Sequence, residues 1–262
     1  MVTHDVLHLL VAPPDTLETT LVKEAAVILK KDPYETRLLL SGKMPKLIAY
    51  YQTAEEAEPV AKQLKTLGLT AFIVNDSELT RSPSTRFNAR ALELGEQAVV
   101  FRDSNNRTLK METKDVFLIL KGKYQLSSDK AVTTTRMKFN LTATLVTGGI
   151  PIWSKIKETS KANSGEVGYF VRIYGWSSPE PSVEFFENSF NYSSLSPDIA
   201  PSSAVNLNSM VMKLRAIFPE ALFDDRLTQP MGMSEHYDRQ ANAVEINCKL
   251  IYLYHRAVHN SV

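Results

Sequence analysis

Only one cysteine, Cys248, occurs in the 262 residues. No internal disulfide can form, and no cysteine pair exists at metal-ligand spacing, so disulfide-stapled folds and zinc knuckles are excluded and a reducing cytoplasm is the expected setting. Long apolar runs are missing too: no uncharged stretch reaches about 18 residues and no basic segment followed by an apolar one opens the chain, so neither a membrane-spanning helix nor a signal peptide is expected. Net charge is nearly absent, with 30 basic against 29 acidic side chains. No global field would gather nucleic acid or anionic membrane, which leaves only a local patch for such a role. Chemical signatures are scarce as well. Gly148-Gly149 lacks the Lys-Ser/Thr and the spacing of a phosphate loop, Ser193 and Ser194 have no nucleophile elbow, and no Glu lies between His255 and His259 as in a zinc-protease helix. The expectation is therefore of no catalytic residue, no bound metal and no cofactor.

What is present is a globular composition, 44% hydrophobic, enough for one large domain or two ordinary ones. The most legible stretch runs from Leu17 to Val74. Pro13-Pro14 separates it from a strand at Val6–Val11, and Asp15 stands three residues before Glu18 in the arrangement of a capping box. Leu17, Leu21, Ala25 and Ile28 form one helical stripe, with Lys23, Glu24, Lys30 and Lys31 off it. Pro33 ends that helix, and a shorter one from Tyr34 to Leu40 closes at Ser41-Gly42. Lys46–Tyr51 reads as a strand. Thr53 and Glu56 form a second capping box before the stripe Ala57, Val60, Ala61, Leu64 and Leu67, which stops at Gly68. Leu69–Val74 is the returning strand. Pro59 falls about a turn inside the third helix, so that helix either kinks or begins a turn later.

The order strand, helix, helix, strand, helix, strand, with the segments Leu21–Ile28, Asp32-Pro33-Tyr34-Glu35-Thr36-Arg37 and Ala54-Glu55-Glu56-Ala57 through Leu67-Gly68, resembles the C-terminal domain of the bacterial ribosomal stalk protein and the related ClpS adaptor. The likeness covers about the first 75 residues. It implies a module that binds other proteins and performs no chemistry. Lys23, Lys30 and Lys31 match the stalk protein's lysine-rich helix surface loosely, and no ClpS degron-pocket residue can be placed.

After the first module, residues 1–76, the composition of 77–86 reads as a linker. From Phe87 the period changes to two. Strands are expected at Ala89–Leu94, Gln97–Arg102, Thr108–Glu112 and Val116–Leu120 as an antiparallel meander, then at Arg136–Val146, Gly168–Tyr174 and Ser182–Phe190, with Lys155–Gly165 a charged loop. Ser202 or Ser203 caps a helix carrying Leu207, Met210, Val211, Leu214 and Phe218. An antiparallel β domain over 87–220 closed by one helix resembles a pleckstrin-homology-like barrel in element order. Residues 221–262 form a C-terminal extension whose helix carries Tyr237, Ala241, Val244, Cys248 and Ile251. So much of that helix is apolar that it should lie between the two domains or across a homodimer contact. The fold class is thus α+β.

Chemical hints are each outweighed by a plainer role. His255 and His259 share a helix face but offer two ligands only. His4 and His8 would lie far apart along a strand, and His236 is isolated. Asp224 and Asp225, near Glu235 and Asp238, fit a turn better than an acid–base cluster. Cys248 fits a buried hydrophobe. Trp153, Trp176 and Tyr174 are the candidates for a protein-binding surface. The expected function is a non-enzymatic interaction or adaptor protein with unknown protein partners. A metal-dependent hydrolase using Asp224, Asp225 and a histidine, and a homo-oligomer subunit, are the alternatives.

Overall fold

The first strand alternates in a way that fixes much of the architecture, because Leu9 and Val11 join the core beneath the helices while Leu10, on the opposite side of the pleat, is just as deeply buried. A sheet with two dry faces needs cover on both. The computed structural model describes residues 6–80, 86–125, 131–139, 153–161, 167–176, 182–229 and 241–260. Within them the fold is α+β, as expected. Two compact units are distinguished, Met1–Lys123 with Tyr169–Val262, and Tyr124–Gly168.

The larger unit opens with β1 (Leu7–Ala12), α1 (Thr19–Leu29), α2 (Pro33–Leu40), β2 (Lys46–Tyr51), α3 (Ala54–Thr66) and β3 (Thr70–Asn75), in the order expected. The three strands form an antiparallel sheet with β1 in the middle. Asp32 Oδ1 accepts from the Tyr34 N–H at 2.7 Å and Pro33 occupies the first helical position, which together start α2. Neither expected capping box forms. The chain bends at Asp15 and Thr16, so Glu18 becomes the N-cap of α1, and Thr53 precedes α3 without a side-chain cap bond. α3 starts at Ala54 and runs through Pro59 unbroken.

The expected linker is partly helical. α4 (Asp76–Thr80) follows β3 directly, Leu79 is buried, and His8 Nε2 lies 2.8 Å from Asp76 Oδ1. Then come β4 (Phe87–Asn88), β5 (Ala91–Leu94), β6 (Ala98–Arg102), β7 (Thr108–Glu112) and β8 (Val116–Gln125). Strands β5, β6 and β7 make their own antiparallel sheet. β8 instead belongs to a five-stranded sheet completed by β11 (Val167–Gly175), β12 (Val183–Phe186) and β13 (Leu222–Leu227), ordered β13-β8-β11-β12-β4. Both outer strands run parallel to their neighbours. The meander therefore divides after β7, and among the described residues no closed barrel forms.

Between β12 and β13 lies α5 (Ser203–Ile217), preceded by Ser202 as N-cap. Leu207, Met210, Val211, Leu214 and Phe218 are all buried, in one core with Val99 and Phe101 of β6 and Val171 and Ile173 of β11. The final helix, α6 (Ala241–His259), supplies the missing cover for the first sheet. Its Lys249 Nζ donates to the Leu79 carbonyl at 3.2 Å, and its Ala257 and Val258 line a groove of about 360 Å³ with Thr70 and Phe72 of β3. On its other side the Tyr252 ring meets Phe117 of β8 edge-on at 5.5 Å and Tyr174 of β11 at 5.3 Å. Cys248, Ile251 and Tyr252 are wholly buried. α6 is thus sunk between the N-terminal layer and the five-stranded sheet, the within-chain option of the two expected for it. Tyr237 lies outside the described residues.

The smaller unit contains β9 (Ala131–Phe139) and β10 (Trp153–Lys161), an antiparallel pair in unbroken register from Trp153↔Phe139 to Lys161↔Ala131. Lys155–Gly165, read as a loop from its charge, is a strand as far as Lys161, because pairing with β9 satisfies its backbone whatever its side chains are. Gly148-Gly149 and residues 140–146 of the expected strand lie outside the described residues.

Candidate functional site

Three constellations are built by this fold. The first is a four-charge cluster under α6. Arg172 on β11 and Glu184 on β12 are each only 4% exposed, and the antiparallel ladder sets them directly opposite each other. Arg172 Nε donates to Glu184 Oε1 at 2.6 Å, and Glu245 on α6 reaches both Arg172 and Arg86. Arg86 also approaches Glu184 at 3.4 Å. Two guanidinium groups and two carboxylates thus neutralise one another. Burial by itself would raise the Glu245 carboxyl, but hydrogen bonds from Arg86 and Arg172 hold it below the usual range. Beside the cluster, burial pushes the Cys248 thiol up to about 12 and raises the Tyr174 phenol. A thiol in that state is no nucleophile at neutral pH.

The second constellation gathers the aspartate and histidine singled out from the sequence. Asp224 on β13 is buried, and its Oδ2 lies 2.7 Å from His255 Nε2 of α6. Arg226 claims the same carboxylate, its Nε at 2.8 Å and its N–H at 2.9 Å from the two oxygens. Burial opposes ionisation of Asp224, yet the bonds from His255 and Arg226 bring its pKa down to about 2. A divalent cation would have to displace or sit beside the Arg226 guanidinium, which also stacks on Tyr254 at 4.7 Å. Asp225 is exposed and takes no part in this network, and Glu235, His236 and Asp238 lie outside the described residues. His259 goes elsewhere, its ring 4.9 Å from that of Trp176. Among the described residues no group of three His, Cys, Asp or Glu side chains could hold a metal. Both constellations tie α6 to the strands beside it.

The third is a surface. Val27 on α1 is 79% exposed, and Tyr34 and Leu38 on α2 are 71% and 41% exposed. Tyr34 and Leu38 are one turn apart on α2, hence on one side of it. α1 and α2 pack against each other; Ala25, Ala26, Thr36 and Leu40 are buried, and Ala25 and Leu40 share one core. Val27 escapes that contact because it lies off the Leu21, Ala25, Ile28 stripe. Lys23, Lys30 and Lys31 are its neighbours at helical spacing, and Lys31 pairs with Glu35. This face was missed in the sequence, although Tyr34 and Leu38 at a spacing of four, outside any stripe the core needs, are its signal.

The aromatic residues named as candidates for a binding surface have different surroundings. Tyr174 is wholly buried, covered by Tyr252. Trp176 is 43% exposed but rests on Phe117 at 4.6 Å, and its carbonyl accepts from the Tyr252 hydroxyl. Trp153 belongs to the other unit. The large charged residues were equally hard to foresee, since Arg172 and Glu184 sit within apolar strands whose only cue is a charge in a dry run. Among the described residues no helix is long and apolar enough to cross a membrane. Compared with known protein families, with curated proteins and with solved structures, the chain has no significant match.

Proposed function

We propose that this protein is a non-enzymatic interaction protein of the adaptor or scaffold kind, and that the α1–α2 face receives its protein partner. The observation that carries this is the exposure of Val27, Tyr34 and Leu38 on two packed helices, with no element of the larger unit covering them among the described residues. Aromatic and aliphatic anchors of this kind, ringed by charge, suit a protein contact better than bulk solvent. Further support comes from the fate of the reactive groups: Asp224, His255, Glu245 and Arg172 are committed to one another in compensated pairs. The resemblance of the first 75 residues to the ribosomal stalk and ClpS fold points the same way.

The test compares proteins captured from native lysate by the wild type and by a Tyr34→Asp/Leu38→Asp variant, with bound metal analysed in parallel. A partner held by the wild type and lost from an equally stable variant supports the proposal. An unchanged set of partners overturns the assignment of the face, and stoichiometric metal would restore the hydrolase alternative.

A further inference from the structure

Strand β3 is an edge strand that its own sequence does nothing to blunt. The N-terminal sheet is ordered β2-β1-β3, so β2 and β3 each have one side without a neighbouring strand among the described residues. Exposed edges are normally protected by charge or by a bulge. β2 has both, Lys46 within the strand and a register shift against β1 at Leu9/Leu10. β3 has neither, since Thr70–Asn75 is uncharged and pairs with β1 in unbroken register. The Asp76 N–H donates to the Val6 carbonyl at 2.8 Å, which makes that rung a hydrogen-bonded one. Alternation along the antiparallel ladder then turns the backbone of Thr70, Phe72 and Val74 toward β1. The N–H and C=O groups of Ala71 and Ile73 point to the open side.

The groove of about 360 Å³ lies along this edge. Lys65 and Leu69, from the α3 side of the sheet, form one wall, Ala257 and Val258 of α6 form the other, and Ala71 and Phe72 lie between them. A groove that touches the cover of both faces of a sheet sits at the edge of that sheet. Its floor is apolar, with Leu69 and Ala71 buried, and its α6 wall offers Val258, which is 38% exposed. Its rim is basic. Lys62 and Lys65 are exposed one turn apart on α3, and Arg256 is exposed beside Ala257 on α6. Among the described residues no acidic side chain lines the groove. The outward N–H and C=O groups alternate as another peptide backbone requires, whereas a phosphate backbone offers acceptors only. A second copy of this chain has its own β3 set between the same two helices, which would collide before the edges met. We infer that β3 receives an extended acidic segment of another protein as an added strand, its backbone pairing with Ala71 and Ile73 and its carboxylates meeting Lys65 and the basic rim. This surface does not rest on the α1–α2 face.

The probe is a fluorescein-labelled peptide alternating valine and glutamate, compared with one alternating valine and lysine. Each is titrated with full-length protein and read by fluorescence polarisation. Binding of the glutamate peptide alone, weakened by added salt, is the expected result. Hydrogen exchange read by NMR should then slow at the Ala71 and Ile73 amides. Lys65→Glu should bind the glutamate peptide about ten-fold more weakly, because an attraction across an exposed pair becomes a repulsion. Ala71→Pro removes an outward N–H that β1 does not use and should abolish binding. Should that variant fold poorly, Lys65→Glu and the exchange pattern of the parent decide. Tyr34→Asp/Leu38→Asp should bind the peptide as the wild type does. Absence of binding, equal binding of the two peptides, unchanged exchange at Ala71 and Ile73, loss of binding in the Tyr34/Leu38 variant, an equally tight complex with single-stranded DNA, or a dimer that excludes the peptide would each overturn the inference.

Discussion

Replacing Glu245 with Gln tests the hold of α6 most sharply. The wild-type cluster balances Arg86 and Arg172 against Glu184 and Glu245, and the substitution leaves two guanidinium groups sharing one carboxylate. Breaking a buried ion pair costs about 3–5 kcal/mol, because the abandoned partner stays buried and charged. Glu245 keeps 26% of its side chain exposed, and solvent screening trims the loss to about 2–4 kcal/mol. For a chain of this size that is a fall in melting temperature of roughly 5–15 °C. Urea unfolding of the single variants Glu245→Gln and Arg86→Met and of the double variant closes a cycle. Restoring the charge balance should make the double loss smaller than the sum of the single losses by about 1–2 kcal/mol. Strict additivity, or a single-variant loss under about 0.5 kcal/mol, would show that the cluster does not hold the helix.

Asp224 governs the acid limb of stability. Its pKa of about 2 lies below the ordinary 3.8, so its contribution, about 2 kcal/mol, is complete above about pH 4 and is lost as pH falls toward 2. Asp224→Asn should flatten that limb in an acid titration followed by circular dichroism, and an unchanged limb would contradict it. Cys248, buried with its thiol pushed up to about 12, should resist iodoacetamide at neutral pH until urea unfolds the chain; rapid native alkylation would place it at a surface. Gly122→Ala would set a Cβ 2.3 Å from the Phe170 ring, so a loss of about 1–3 kcal/mol is expected. Phe170→Leu in the same chain should recover part of it in thermal unfolding. Leu214→Ala, in the α5 core, should cost about 2–5 kcal/mol by urea unfolding.

Elements whose partners lie close in sequence were readable, and elements completed by distant partners were not. The stripe Leu207, Met210, Val211, Leu214 and Phe218 named the buried side of α5 because one helix needs only its own period to declare that side. The βααβαβ order of the first 75 residues followed from turn residues and apolar spacing in the same way. The parallel docking of β13 on β8 had no local cue, since register across a crossover is set by the sheet itself. Strand β10 was hidden by its lysines and serines, because backbone pairing with β9 does not depend on apolar side chains. Glu245 and Arg86 meet across 159 residues, so their charges read as ordinary solvated ones. Tyr174 illustrates the same limit: composition named it as a surface anchor, but its burial was decided by Tyr252, which arrives from the far end of the chain.

The proposed function rests on the α1–α2 face, and photo-crosslinking reaches it directly. A benzophenone amino acid placed at Leu38, which is exposed, is irradiated in native lysate alongside the same probe at Met212 on the exposed side of α5. The account predicts one dominant heterologous adduct from position 38, none from position 212, and loss of the adduct when Tyr34→Asp is added. No adduct at position 38, or an adduct only with a second copy of the chain, would contradict it.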